Sequence, residues 1–326
     1  MSAVTTAAAT PRGTESWTRR LKDLSFWAEW AALVGLVALV IIFQILNPTF
    51  LSSGNISSML VASAILIVLA IGQTFVVATG GIDLSVASVM TLAAVVFGAT
   101  YASWGLIGAM LAAVVAGAAA GLINGVLIAR GKITDFIVTL GMLSAASGTA
   151  LVLSDGKPVT IIDTFLLKLS TGGLGIFGWM VIIAAVLAVI AHVLLFHTRF
   201  GTHVLATGGS PEAATATGIS TGRIKIAVYA ISGLLAGLAA ILLIARVGAA
   251  EPASNTSFLL NSVAAVVLGG VSLLGGRGTI TGPVIGALLL TALTNGLTLL
   301  GVSQFYQPLA VGIVVVLAAL LTRFQK

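Results

Sequence analysis

Ten apolar segments follow one another along the chain. Most are about 20 residues long, which is the length that an α-helix needs to cross a bilayer. Charged residues make up only 7% of the chain, against about 25% in a soluble protein, so they cannot cover a water-facing surface of this size. The sequence therefore predicts an all-α integral membrane protein with about ten transmembrane helices. The segments lie near 30–46, 56–79, 84–102, 104–129, 133–153, 176–197, 224–246, 257–274, 279–301 and 305–322.

Lysine and arginine residues predict the orientation of these segments. If the N-terminus lies in the cytoplasm and the chain crosses ten times, 12 of the 15 cations fall on the cytoplasmic side. An excess of this kind agrees with the positive-inside rule, so both termini are expected in the cytoplasm. The same topology places the loop 198–225 inside and the segment 154–175 outside.

Residues 1–30 are predicted to form a cytoplasmic tail and an amphipathic helix at the membrane surface, followed by one transmembrane domain over 31–326. The first 14 residues lack the charged start and apolar core of a signal peptide, so no cleavage is expected. Trp17 and Trp27 lie at helical spacing and are expected at headgroup level.

A weak internal repeat joins two parts of the chain. Residues 92–98 resemble 263–269, and Asn124-Gly125 matches Asn295-Gly296, both at an offset of 171. The units would begin at the third and eighth segments, which cross in opposite directions, as in the inverted repeats of many transporters. Chance similarity of Ala-, Val- and Gly-rich text is the alternative. The eighth segment is short and polar, so a complete span and a re-entrant segment both stay open.

The sequence carries no motif of a catalytic or metal site. It has no Cys, its three His residues lack metal-site spacing, and no phosphate-binding loop occurs. All nine carboxylates fall at predicted segment ends or in loops, which argues against a proton-coupled carrier. A Na⁺ site built from carbonyl and hydroxyl groups would escape that argument. The formal charge of +6 lies mostly at helix ends and does not indicate nucleic-acid binding.

The turn between the second and third segments contains Gly80, Gly81, Asp83 and Ser85. Two glycines permit a sharp turn with positive φ, and Asp83 or Ser85 is expected to cap the third helix. The functional alternative is a hinge or gate at the cytoplasmic mouth.

The neutral polar residues in or near predicted spans include Gln73, Asn124, Asn261 and Asn295. Their amides are suited to hydrogen-bond a polar solute in passing, which makes them candidates for a pathway. They are equally suited to hold helices together.

The polar loop 198–225 contains a helix signal of its own. Ser210, Pro211 and Glu212 are typical of a helix start, because Pro lacks an N–H that would be unpaired there and Glu opposes the helix dipole. Gly218 is expected to end this helix. An ordinary loop between two spans is the alternative.

Several motifs, in one order over about residues 35–320, resemble the permease subunit of ribose-type ABC importers. Two glycine-rich stretches carry much of the resemblance, GGIDLS at 80–85 and LGGVSLLGGRGT at 268–279. The other matching motifs are GQT at 72–74, NG at 124–125, FIVTLG at 136–141, EAA at 212–214 and GI at 218–219.

The resemblance implies a multi-pass protein of the cytoplasmic (inner) membrane that passes a monosaccharide, a ribose-like pentose or a hexose. It implies a second permease subunit, identical or homologous, an extracytoplasmic sugar-binding protein, and a cytoplasmic ABC ATPase that binds the ATP. No cofactor is expected on this chain. The coupling helix would fall on Ser210–Gly218, including Ala213 and Ala214. Pro211 departs from the Gly-Asn that often precedes the Glu in this family, so the register of the ATPase contact stays open.

Two other functions compete with an ATP-driven permease. An ion-coupled secondary carrier would need an ion site and no ATPase, and a passive channel would need neither. Only the permease requires a coupling helix. The identity of the sugar, and the choice between homodimer and heterodimer, stay open.

Overall fold

The computed structural model describes residues 31–253 and 256–322, so the predicted amphipathic helix over 15–30 lies outside the described residues. Nearly all of the described secondary structure is helical, with four strands of two residues each. In chain order the elements are α1 Ala31–Leu46, α2 Ser53–Ala78, α3 Val86–Ala129, α4 Asp135–Ser154, β1 Val159–Thr160, α5 Thr164–Thr171, β2 Gly173–Leu174, β3 Phe177–Gly178, α6 Trp179–Phe196, α7 Arg199–Gly209, α8 Pro211–Ala216, α9 Thr221–Val247, β4 Ala249–Ala250, α10 Thr256–Leu268, α11 Thr281–Leu299 and α12 Gln307–Thr322.

Six of the described helices are long and apolar enough to cross a membrane, namely α2, α3, α4, α6, α9 and α11. Shorter apolar helices occur in α1, α10 and α12. Large apolar side chains such as Ile41, Leu111 and Val189 are more than half exposed, as a lipid-facing surface requires. The prediction of an all-α membrane protein is therefore confirmed.

Helix α3 combines two predicted segments in 44 residues. Gly105 has φ 67° and ψ −176°, so the helical conformation is interrupted there. A residue with a Cβ rarely adopts such a positive φ, and the glycine therefore allows two helical stretches to meet end to end. The break agrees with the predicted boundary between 84–102 and 104–129.

The most extensive helix pair is formed by α3 and α9, whose backbones touch through small residues. A Cβ on Gly117 would lie 3.0 Å from the Cα of Gly237, and a Cβ on Gly121 would lie 3.0 Å from the Cα of Gly233. The glycines recur every four residues on both helices, which is the spacing that lets membrane helices approach closely. Helix α2 lies in the centre of the bundle, buried over most of its length.

The segment 154–175, which the sequence predicts to lie between two spans on the outside, contains secondary structure of its own. Asp163 caps α5, its Oδ1 accepting the backbone N–H of Phe165 at 2.7 Å. The hydroxyl of Tyr101 donates to the other carboxylate oxygen at 2.8 Å, and this bond holds the pKa of Asp163 below its ordinary value. Strand β1 pairs antiparallel with β4, which fastens the segment to the end of α9.

The eighth predicted segment is shorter than expected. Helix α10 ends at Leu268 rather than at 274, and Gly270 then turns the chain with φ +76°. A glycine in the left-handed region commonly terminates a helix, so the glycine pair at 269–270 explains the early end.

Candidate functional site

Residues 79–85, called here the Asp83 loop, join α2 to α3 inside the protein. Thr79, Asp83 and Ser85 are buried although the backbone is not helical. Gly80 has φ +74°, and its N–H donates to Val77 O at 2.8 Å. The positive φ that the sequence predicted for this turn is therefore confirmed for Gly80.

Gly81 does not have a positive φ, but neighbouring atoms leave no space for a side chain at this position. A Cβ at this position would lie 2.8 Å from both Asp135 Oδ2 and the Tyr229 hydroxyl. The loop backbone therefore passes directly against polar groups of α4 and α9, and the steric limit at Gly81 comes from its neighbours.

The carboxylate of Asp83 accepts three hydrogen bonds. Oδ1 accepts from the backbone N–H of Ser85 at 2.9 Å and from its hydroxyl at 2.6 Å. Oδ2 accepts from the hydroxyl of Ser232, in the middle of α9, at 2.9 Å. A buried carboxylate needs such donors, because an unpaired one loses far more solvation than a neutral group.

The predicted side-chain cap of α3 is wrong in its details. Ser85 is the N-cap residue, but its side chain makes no capping bond to the helix because its hydroxyl donates to Asp83. Asp83 in turn binds the N–H of Ser85 itself rather than one from the first turn. The side chains of Asp83 and Ser85 thus form hydrogen bonds within the loop and do not cap the N–H groups in the first turn of α3.

Gln73 and Asn124 hold the same loop from two helices. The Nε2 of Gln73 in α2 donates to the backbone carbonyl of Asp83 at 2.6 Å, and the Nδ2 of Asn124 in α3 donates to the Ser85 hydroxyl at 2.9 Å. Each residue is 1% exposed, and the side-chain oxygen of each has no partner among the described residues. The structure thus joins two predicted pathway residues to two residues of the predicted hinge.

Three residues that the sequence did not single out complete this polar region. The hydroxyl of Tyr229 donates to the Ile82 carbonyl at 3.1 Å. Lys225 Nζ lies 3.4 Å from Asp135 Oδ1, which pairs the start of α9 with the start of α4. The signal for the ion pair was present, because both residues flank apolar segments at ends that the predicted topology places on one side.

The other two predicted pathway residues lie apart from the Asp83 loop network. Asn295 of α11 and Asn55 of α2 exchange side-chain hydrogen bonds of 3.0 Å in both directions. Asn261 lies half-buried on α10. The four amides therefore do not form a single hydrogen-bonded cluster.

Residues 198–225, called here the coupling segment because the sequence predicts a coupling helix in it, contain two complete helices before α9 where the sequence predicted one. Helix α7 was missed, although the hydroxyl oxygen of Thr198 caps it by accepting the Gly201 N–H at 3.3 Å. Its glycines disfavour a helix, but Val204 and Gly208 are buried, so tertiary packing outweighs propensity.

Helix α8 follows the predicted pattern. The hydroxyl oxygen of Ser210 accepts the N–H of Ala213 at 3.2 Å, Pro211 occupies the first turn, and Gly218 has φ +86° just beyond the end. Pro211, Glu212 and Ala213 are exposed, whereas Ala214 is buried. The helix thus presents one face outward while Ala214 packs into the protein.

Fold and geometry together define a multi-pass helical membrane protein with a buried polar loop and an exposed short helix between two spans. A family model described as branched-chain amino acid transport system, permease component, matches residues 55–320. The chain is 38% identical over 320 residues to the ribose import permease protein RbsC of Escherichia coli (strain K12), covering 93% of this chain and 96% of that protein.

Two further relatives agree with the family match. RbsC of Bacillus subtilis (strain 168) is 44% identical over 294 residues, covering 89% of this chain and 91% of that protein. The L-arabinose ABC transporter permease protein AraH of Azospirillum brasilense is 37% identical over 283 residues, covering 86% and 83%. No solved structure matches the chain. The chain belongs to this family of permease components, and it is a membrane-embedded transport subunit rather than an enzyme.

Proposed function

We propose that this chain is the permease subunit of an ATP-driven importer and forms the pathway for a monosaccharide across the cytoplasmic (inner) membrane. The coupling segment carries the proposal. Two consecutive helices stand between the spans α6 and α9, and the second exposes a capped first turn. A carrier or a channel requires no such element, whereas a permease moved by a separate ATPase does.

The ATPase would contact α8 over Ser210–Gly218. The exposed side of α8 includes Pro211, Glu212 and Ala213, and buried Ala214 fixes the helix so that a push on it is passed inward. ATP would be bound by the ATPase partner, with no cofactor on this chain. An ATPase dimer that binds two permease conformations with different affinity supplies the energy for the change between them.

The helices support a ten-span topology with both termini in the cytoplasm. Counting α3 as two spans at Gly105, and adding α1, α10 and α12 to the long helices, gives ten crossings. The distribution of lysine and arginine then favours a cytoplasmic coupling segment. A structural similarity between the two units supports an inverted repeat. In each unit a glycine with positive φ follows the first helical stretch, Gly105 in the first unit and Gly270 in the second.

The pathway would lie between this chain and a second permease subunit. Gln73 and Asn124 are buried within one protomer and tied to the Asp83 loop, which makes them supports of a gate rather than surfaces for a sugar. Gly80, Gly81, Asp83 and Ser85 would form that gate or its hinge. Asn261 and Asn295 are only half-buried and stay candidates for lining the path.

A pentose is the first substrate class to test, because the named relatives import ribose and arabinose. An extracytoplasmic sugar-binding protein would deliver the sugar and set most of the specificity. A hexose belongs in the same test.

One observation favours an ion-coupled carrier as the second candidate. Asp83 is a carboxylate buried in the bundle, which the sequence analysis did not expect. Its three donors, however, come from loop and helix groups that fix the backbone, and this arrangement serves a structural role directly.

Uptake of labelled pentoses and hexoses by cells that express this chain with its ATPase and binding protein tests the proposal. Each assay is repeated after ATP depletion and, with ATP maintained, after an ionophore collapses the ion gradients. We expect uptake of one sugar to be lost on ATP depletion alone. Loss with the ionophore while ATP is intact would identify a secondary carrier instead.

A further inference from the structure

Three chain segments that are far apart in sequence, one of them part of the coupling segment, meet backbone to backbone. They are the end of α7 at Gly208, the turn at Gly275 and Gly276 that follows α10, and the start of the Asp83 loop at Gly80. The N–H of Gly276 donates to the carbonyl of Ala78, the last residue of α2, at 3.0 Å. We call the four glycines the glycine junction.

The junction leaves no room for a side chain at Gly208 or Gly275. A Cβ on Gly208 would lie 2.5 Å from the backbone nitrogen of Gly276 and still closer to the carbonyl oxygen of Ala78. A Cβ on Gly275 would lie 2.7 Å from the nitrogen of Gly80 and 2.8 Å from the oxygen of Gly208. These contacts are with backbone, which cannot turn aside as a flexible side chain can.

Each side of the junction leads to a functional element. Gly208 is two residues from Ser210, the cap of α8, and Ser210 N–H donates back to Ala206 of α7 at 3.2 Å. Gly80 lies near the start of the Asp83 loop. In this loop the Ile82 carbonyl accepts a hydrogen bond from Tyr229, and the Asp83 carboxylate accepts one from Ser232 of α9. A continuous path of direct contacts therefore runs from the exposed helix to the helices around the loop.

We propose that the glycine junction is the rigid joint that passes a displacement of the coupling helix to the Asp83 loop, so that Gly208, Gly275 and Gly276 are positioning residues for ATP-driven transport. This inference rests on the proposed function. Close-packed backbones slide past one another poorly, so a shift on one side moves the other rather than being absorbed. The sequence analysis assigned no role to the turn at Gly275–Gly278. In this proposal the turn connects the end of α7 to the Asp83 loop.

Gly208→Ala tests the joint, with Gly209→Ala as the matched control. A Cβ on Gly209 would have only one contact, at 4.0 Å, although the residue is the next in the same helix. The purified complex with its ATPase and binding protein is measured for complex assembly, ATP hydrolysis and sugar uptake. We expect Gly208→Ala to assemble normally but to carry about tenfold less sugar per ATP hydrolysed, the scale of a typical coupling energy between sites. Gly209→Ala should match the wild type.

A second measurement does not depend on how Gly208→Ala folds. The chain has no cysteine, so spin labels can be attached to Cys introduced at the exposed positions Thr202 and Thr279 on the two sides of the junction. Their distance, measured by pulsed electron resonance in the full complex, should be the same without nucleotide and with ATP trapped. A distance that changes with nucleotide, or wild-type coupling in Gly208→Ala, would overturn the inference. If instead the wild-type complex shows no ATP-driven uptake, the proposed function itself fails.

Discussion

Oδ2 of Asp83 accepts a hydrogen bond of 2.9 Å from the hydroxyl of Ser232, which lies 149 positions further along the chain. The bond fastens the loop between α2 and α3 to the middle of α9. Gln73 of α2 and Asn124, near the C-terminal end of α3, form hydrogen bonds to the same loop. A movement of any of these helices is therefore expected to displace the loop.

Replacing Asp83 by Ala should destabilise the protein more than replacing Ser232 by Ala. Asp83→Ala leaves three donors without their acceptor in a buried site, whereas Ser232→Ala leaves the carboxylate with two donors. One lost hydrogen bond to a buried charged group costs about 1.5–3 kcal/mol, and the Asp83 variant loses several. Thermal unfolding in detergent measures both; equal melting temperatures would contradict the network.

The ion pair between Lys225 and Asp135 should be partly restored by a charge swap. Lys225→Asp places a like charge beside Asp135, and Asp135→Lys does the same beside Lys225, so each is expected to lower stability. The two changes combined should restore part of the loss. Both side chains are partly exposed, so a coupling energy of about 0.5–1 kcal/mol is expected. A double-mutant cycle of thermal stability gives this number, and strict additivity would show that the pair contributes nothing.

Gly81→Val should damage the Asp83 loop by crowding rather than by forcing an unfavourable φ. The new side chain would push against Asp135 and Tyr229, and overpacking of this kind costs about 1–3 kcal/mol. Gly54→Val is the matched control, because a Cβ there meets nothing within 4 Å. Stability and uptake are compared for the two variants. A Gly81→Val protein that is as stable and active as the control would show that the backbone approach is not tight.

The cap of α5 should weaken in acid. The hydroxyl of Tyr101 lowers the pKa of Asp163 from its ordinary value of 3.8, so this contribution to stability is fully present above that value. As the pH falls from 3.8 through the lower folded-state pKa, the contribution is lost. Tyr101→Phe should move this loss to higher pH, toward 3.8. Amide exchange of α5 between pH 5 and pH 3 measures the effect, and identical profiles for the two proteins would contradict it.

The sequence predicted the architecture well because lipid imposes a strong and simple requirement. Spans such as 84–102 and 104–129 are set by length and hydrophobicity, and the break at Gly105 lies close to the predicted boundary between them. Helix α8 was equally predictable from the sequence, because Ser210, Pro211 and Gly218 are local signals for the start and the end of a helix.

Contacts between distant positions could not be predicted in the same way. Ser232 lies in an apolar span and resembles any small helix-packing residue until Asp83 is found beside it. Gly208 has poor helix propensity, and its close contact with Ala78 and Gly276, which are distant in sequence, explains why this position is glycine. The predicted cap by Ser85 failed for a local reason, because the carboxylate of Asp83, two residues earlier, accepts the hydroxyl of Ser85.

Sugar accumulation by proteoliposomes that contain this chain, its ATPase and its binding protein tests the central claim most directly, with wild type compared to Glu212→Arg. Glu212 is exposed on the first turn of α8, so reversing its charge should disturb the ATPase contact without unfolding the permease. Glu212→Gln, which removes the charge at nearly constant size, serves as the graded control. We predict ATP-dependent accumulation by the wild type and its loss in Glu212→Arg, with the variant still present in the membrane. Wild-type accumulation by Glu212→Arg would contradict the assignment of the coupling helix.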